Sequence, residues 1–345
     1  MAVSPAVCTA RSAGHPAVAL PKLHADSLAR RVLDQPVSHA STRRRLLAAG
    51  GSLALGACAA PLAAPPHAPA PLPGAWQRDV FDPASGHTWR VWLQQPVLPA
   101  PAGGYPLLCL LDGNATFAMA AQLARNAEAR PDALRPDPLV VLAVGHPGDA
   151  PYHPPLRQRD YTPLSPGQQP TAERGGSDAL RNFIARTVLP MVGNTTPLHP
   201  RRQTLYGHSL GGLFTLHVLG TEPGLFSRYA ATSPSLWWPP ATWPDGWIPR
   251  LQQHLAQRPQ PTPITVQLRV GGLETPEAAA VPQRAAIQNE RRMLWHVQAL
   301  AQRLQALNEH CPHSLRVDHA VLPGLDHGAV MVHGLLDALA LAQQA

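Results

Sequence analysis

The chain has 345 residues, of which 45% are apolar and 14% charged, a balance that excludes a disordered polyelectrolyte and is enough for a large core. Four scattered cysteines exclude a disulfide scaffold or thiolate zinc site, and 41 prolines without a period exclude collagen-like and solenoid folds. The net charge of +7 does not mark a nucleic-acid binder. Seven of the 28 basic residues but only two of the 21 acidic ones fall in residues 1–60, so the rest of the chain is close to balanced.

Residues 1–60 read as an N-terminal extension carrying an export signal. Thr42-Arg43-Arg44-Arg45-Leu46-Leu47 precedes a short, weakly apolar stretch ending in small residues. The segment resembles a twin-arginine signal, which implies the twin-arginine export machinery and a periplasmic destination. Leu55-Gly56-Ala57-Cys58 resembles a lipobox, which would make Cys58 a lipidated N-terminus and a membrane anchor. Residues 61–75, rich in Pro and Ala, are expected to form a tether. A catalytic domain is expected over 76–345.

From Trp76 onward, short β-like runs alternate with helical stretches, the pattern of a sheet covered on both faces. Strands are predicted at 76–81, 88–95, 106–111, 139–144, 203–208, 228–232, 264–270 and 315–321. The runs 106–111 and 139–144 are continuously apolar, as buried parallel strands are, whereas the first two strands read as an antiparallel entry. Helices are predicted at 116–129, 176–191, 211–220, 283–308 and 328–343. The Pro-rich stretches 145–175 and 234–262 lack a regular pattern and are expected to frame the mouth of a site. Eight strands in this order fit an α/β fold with a mostly parallel sheet of the α/β-hydrolase kind.

The sharpest motif is Gly207-His208-Ser209-Leu210-Gly211, between a short strand and a helical run. That context is the one a G-x-S-x-G nucleophile elbow requires, so Ser209 is the candidate nucleophile. The partners in such a fold follow in the order acid, then histidine. His327, in a loop after the last strand, is the candidate base, ahead of His208, His319 and His333. Glu274, in the loop after strand 264–270, is the preferred acid, with Glu277, Asp318, Asp326 or no acid at all as alternatives. The oxyanion would be received by the backbone N–H groups of Leu210 and Asn114. Asp112 reads as a structural hydrogen-bond acceptor.

Six segments, spread in order over residues 76–343, carry a family resemblance. They are Leu111-Asp112-Gly113-Asn114, Arg159-Asp160-Tyr161-Thr162-Pro163, the elbow through Phe214, Ser233-Pro234-Ser235-Leu236-Trp237-Trp238, Gly272 with Glu274, and Asp326-His327-Gly328. The chain resembles the α/β-hydrolase branch that includes esterase D and the catecholate-siderophore trilactone esterases. The elbow is generic to the superfamily, whereas the Arg-Asp-Tyr-Thr-Pro and Ser-Pro-Ser-Leu-Trp-Trp segments are more selective.

The resemblance implies hydrolysis of a small-molecule ester by Ser209 and His327, without metal or organic cofactor. It also implies an arginine, Arg159 or Arg157, holding catecholate oxygens of a siderophore or its iron complex. Trp237 or Trp238 is expected to face substrate. Few Lys or Arg residues are expected around the mouth, which fits a trianionic iron complex poorly. The alternatives are a general carboxylesterase, a feruloyl or acetyl esterase, an S-formylglutathione-type thioesterase, and a non-catalytic binding lipoprotein of the same fold.

Overall fold

The computed structural model describes residues 71–164, 167–238, 246–257, 263–312 and 314–344. The export signal, Cys58 and most of the expected tether lie outside these residues. Leu72 and Ala75, at the tether's end, pack against the core.

The eight strands are β1 (Ala75–Asp82), β2 (His87–Gln94), β3 (Tyr105–Leu110), β4 (Val140–Gly145), β5 (Leu198–His208), β6 (Arg228–Thr232), β7 (Ile264–Gly271) and β8 (Leu315–Leu322). They form one sheet in the order β1-β2-β4-β3-β5-β6-β7-β8. β1 and β2 are antiparallel to each other, and β2 runs antiparallel to β4; every pairing from β4 to β8 is parallel. Each predicted strand is present, with β5 starting earlier, at Leu198.

Both faces of the central strands are buried, which explains their unbroken apolar runs. On one face Leu108 and Leu110 of β3 meet Phe117 of α1 (Gly113–Glu128) and Leu335 of α9 (Ala329–Gln343). On the other, Leu107 and Cys109 join a larger cluster. That cluster includes Phe183 of α3 (Ser177–Phe183) and Phe214 of α5 (Leu210–Thr221). Burial pushes the Cys109 thiol up to about 12, so it behaves as a small apolar side chain.

Four helical expectations need correction. The run expected at 176–191 is α3, then one π-helical stretch (Ile184–Val188), then α4 (Leu189–Gly193). The run expected at 283–308 is two helices, α7 (Pro282–Arg291) and α8 (Met293–His310), broken where Arg292 adopts a left-handed conformation (φ 44°, ψ 44°). The stretch 145–175 contains α2 (Pro154–Tyr161), which its two leading prolines and polar composition disguised. The stretch 234–262 contains α6 (Ile248–Gln257), anchored by Leu251 and Leu255 on one helical face.

Candidate active site

Three neighbouring strands end at the site. Ser209 follows β5, its N–H donates to the Thr232 carbonyl at 3.0 Å, and the Ser233 N–H donates to the Arg269 carbonyl at 2.7 Å. Ser209 itself has φ 59° and ψ −119°. Among the described residues only four non-glycine residues have positive φ, and Asp112, Ser209 and Ser233 are three of them. Such backbone strain persists where surrounding contacts over-determine it. The glycine at 207 is a steric necessity: a Cβ there would overlap the carbonyl of Gly211 in the first turn of α5.

His327 Nε2 lies 3.0 Å from Ser209 Oγ, and His327 Nδ1 lies 2.7 Å from Glu274 Oε2. The other carboxylate oxygen of Glu274 accepts from the Gly271 N–H at 2.8 Å and from the Ser233 hydroxyl. Glu274 is buried, whereas the His327 side chain is 40% exposed and so reachable by substrate and water. Gly271 makes this convergence possible, because a Cβ there would meet the Leu325 carbonyl of the loop that delivers His327. An oriented Ser-His-acid relay of this geometry can activate a hydroxyl for acyl transfer.

Two of the three rival acids are committed elsewhere. Asp318 pairs with Arg269 at 2.6 Å, and Asp326 accepts the Gly328 and Ala329 N–H groups at the start of α9. Those N–H groups, Ala329 first, hold the Asp326 carboxyl below its usual range against a small burial effect. Glu277 sits in the short turn Pro276–Ala278. His319 is exposed on β8, and the ring of His333 is set against the Ala329 carbonyl of its own helix.

Leu210 opens α5, and Gly113 with Asn114 opens α1, so their N–H groups belong to helix ends that lack intrahelical acceptors. Asn114 also clamps the neighbouring loop: its side chain bonds the His146 N–H, the His146 carbonyl and the Gly148 carbonyl at 3.0–3.1 Å. The Asp112 carboxylate accepts a two-pronged bond from Arg157, at 2.6 and 3.0 Å.

The two arginines singled out in the sequence occupy different places. Arg157 reaches Asp112, whose carboxylate lies beside Gly211 of the elbow, and stacks 5.1 Å from the Tyr152 ring. Arg159 is bound at both prongs to Asp160, at 2.6 and 2.9 Å. Asp160 also accepts from Trp89 Nε1 and His146 Nε2, at 2.8 and 2.9 Å. Burial would raise the Asp160 carboxyl, but its bonds from His146 and Arg159 hold it below the usual range. Arg159 also lines a cavity of about 650 Å³ with Arg181, His217 and Arg250, and none of Ser209, Glu274 or His327 belongs to that cavity. The candidate site is therefore defined by its chemistry and not by that hollow.

Trp237 and Trp238 lie side by side, ring centroids 5.7 Å apart, both half-buried against the core. Two serines in the same segment, to which the sequence alone assigns no role, support the site. Ser233 holds Glu274, and Ser235 places its Oγ 3.4 Å from Ser209 Oγ while its N–H donates to the Ser209 carbonyl at 3.1 Å. Their recurrence in Ser-Pro-Ser directly after β6 was the available signal. Among the described residues no group of three or more His, Cys, Asp or Glu side chains is placed to hold a metal ion.

The family model described as Putative esterase matches residues 82–314. The ferri-bacillibactin esterase BesA of Bacillus subtilis is 28% identical over 270 residues, covering 75% of this chain and 86% of BesA. Among solved structures, the BES protein of Bacillus cereus is similar with a TM-score of 0.67 and 26% identity, covering 79% of this chain and 96% of that one. The siderophore hydrolase EstB of Aspergillus nidulans is similar with a TM-score of 0.66 and 26% identity, covering 80% of this chain and 98% of EstB.

Proposed function

The chain belongs to the Putative esterase family, has the α/β-hydrolase fold and is an ester-hydrolysing enzyme; from that premise we propose that it is a serine esterase of siderophore-type aryl esters, exported to the periplasm. The observation that carries the serine mechanism is the line Ser209 Oγ, His327, Glu274, with contacts of 3.0 and 2.7 Å.

In this reading Ser209 Oγ attacks the ester carbonyl as its proton passes to His327 Nε2. Glu274 keeps the Nδ1 proton in place and balances the imidazolium. The developing oxyanion is met by the N–H of Leu210 and by that of Asn114 in the first turn of α1, each supported by its helix dipole. His327 returns the proton to the leaving alkoxide, which departs as an alcohol. Water then repeats the sequence on the acyl-enzyme and frees Ser209. The names of the relatives, a ferri-bacillibactin esterase and a siderophore hydrolase, support the substrate class. The arginine pair in residues 43–44 supports twin-arginine export, and Cys58 supports a lipid anchor.

The test is a hydrolysis panel on the mature protein, comparing a catecholate trilactone, 4-nitrophenyl acetate, a feruloyl ester and S-formylglutathione, with an organophosphonate used to label the nucleophile. Preferred turnover of the trilactone and labelling of wild type but not Ser209→Ala are expected. Preference for another ester removes the siderophore reading, and labelling that survives in Ser209→Ala removes the serine mechanism.

A further inference from the structure

We propose that Arg291 of α7, stacked on Trp237, is the guanidinium that grips the anionic oxygens of an aryl ester substrate. The inference rests on the esterase reading above and deepens it. Arg157 and Arg159, the sequence candidates, each engage a carboxylate with two N–H prongs. A fork so used is locally neutralised and has little left for a ligand. Arg291 is bound differently: its guanidinium carbon lies 4.4 Å from the Trp237 ring centroid. Stacking engages the face of the guanidinium and leaves its N–H edges free to donate. Among the described residues neither Arg291 nor Arg284, on the same helix, forms an ion pair.

The position is set from two sides. Trp237 is two residues beyond Ser235, whose Oγ is 3.4 Å from Ser209 Oγ; two Cα steps span at most ~7 Å. At the other end of α7, the charge of Arg284 is felt by Asp326, the neighbour of His327. None of the residues of α7 is buried, so its cationic side chains face solvent and not the core. Glu274 and Glu277 line a hollow with Gln288 and Asn289 of α7, and among the described residues neither they nor Glu290 nor Asp326 is ion-paired to Arg291. The left-handed break at Arg292 separates α7 from α8, and Arg291, the last residue of α7, lies over Trp237. A planar ring with anionic oxygens at its edge fits this arrangement, with the neighbouring Trp238 indole for its face and Arg291 for its oxygens.

The experiment measures inhibition of 4-nitrophenyl acetate turnover by 2,3-dihydroxybenzoate in wild type, Arg291→Ala and Arg291→Lys, together with KM for a ferric catecholate trilactone. A rise of about 10-fold or more in the inhibition constant is expected for Arg291→Ala, with a smaller rise for Arg291→Lys, which keeps charge but loses the planar fork. The trilactone KM should rise in parallel, relative to that of the neutral ester. Equal inhibition of wild type and Arg291→Ala, or none of wild type at 10 mM, on the order of a weak-binding limit, overturns the inference even where the trilactone is a good substrate. Arg291-dependent inhibition in an enzyme that ignores the trilactone keeps the inference and removes the siderophore reading.

Discussion

His208 Nε2 donates to the backbone carbonyl of His327 at 2.8 Å, and the two imidazole rings lie 4.7 Å apart. The residue before the elbow serine thus pins the loop that carries its partner histidine. Burial, aided by repulsion from His327, holds the His208 imidazole down to about 3, so it stays neutral and keeps a single N–H for this bond.

Two outcomes are expected from this pinning. His208→Phe, which keeps a ring but removes the donor, should lower kcat roughly 10-fold with a smaller change in KM, whereas His208→Gln should recover part of the loss. The folded pKa of His208 is depressed, so at pH between about 3 and 6.5 the unfolded chain binds the extra proton. Stability is therefore full above pH ~6.5 and falls as pH drops toward 3. Urea titrations at several pH values should show a shallower acid loss in His208→Phe, and identical pH slopes would refute the assignment.

Glu274 is held by Ser233 and Gly271, which places Ser233 one step behind the relay. Glu274→Gln should lower kcat by about 10²–10⁴. Ser233→Ala should cost less, about 10-fold, because the Gly271 N–H remains. The double variant should be little worse than Glu274→Gln alone, since Ser233 acts through that carboxylate. Fully multiplicative losses would show that Ser233 works by another route.

Asp160 has no exposed surface and receives bonds from Trp89, His146 and Arg159. Removing it leaves a half-buried guanidinium and the buried Trp89 and His146 donors unpaired, so Asp160→Ala should destabilise the fold by about 3–5 kcal/mol. Its depressed folded pKa adds stability above its unfolded pKa of ~3.9 that is lost as pH falls through the lower folded value. Chemical denaturation measures both, and a loss below about 1 kcal/mol would contradict the network.

Replacing Arg43 and Arg44 by Lys should strand the precursor in the cytoplasm, because the paired arginines are a receptor-read feature that charge alone does not replace. Cys58→Ser should release the protein from the membrane fraction. Cell fractionation decides both; normal periplasmic yield of the double Lys variant argues for a general secretory route instead.

The sequence by itself determined the strands and the elbow, because both rest on short-range physics. A buried strand is written as an apolar run, as in Leu107 to Leu110 and Val140 to Val144, and the G-x-S-x-G turn is written in residues that must lack a Cβ at Gly207. The order of nucleophile, acid and base was legible for a different reason, since it is the order that a fold of this class imposes. Tertiary structure alone decided which carboxylate meets His327, since Glu274 is 53 residues away in the chain and its rivals differ from it only in the partners packing assigns them. It alone decided that Arg157 and Arg159 engage Asp112 and Asp160 while Arg291 lands on Trp237. Charge–charge and ring contacts leave no periodic trace in the chain, because they are selected by where helices come to rest and not by the residues on either side.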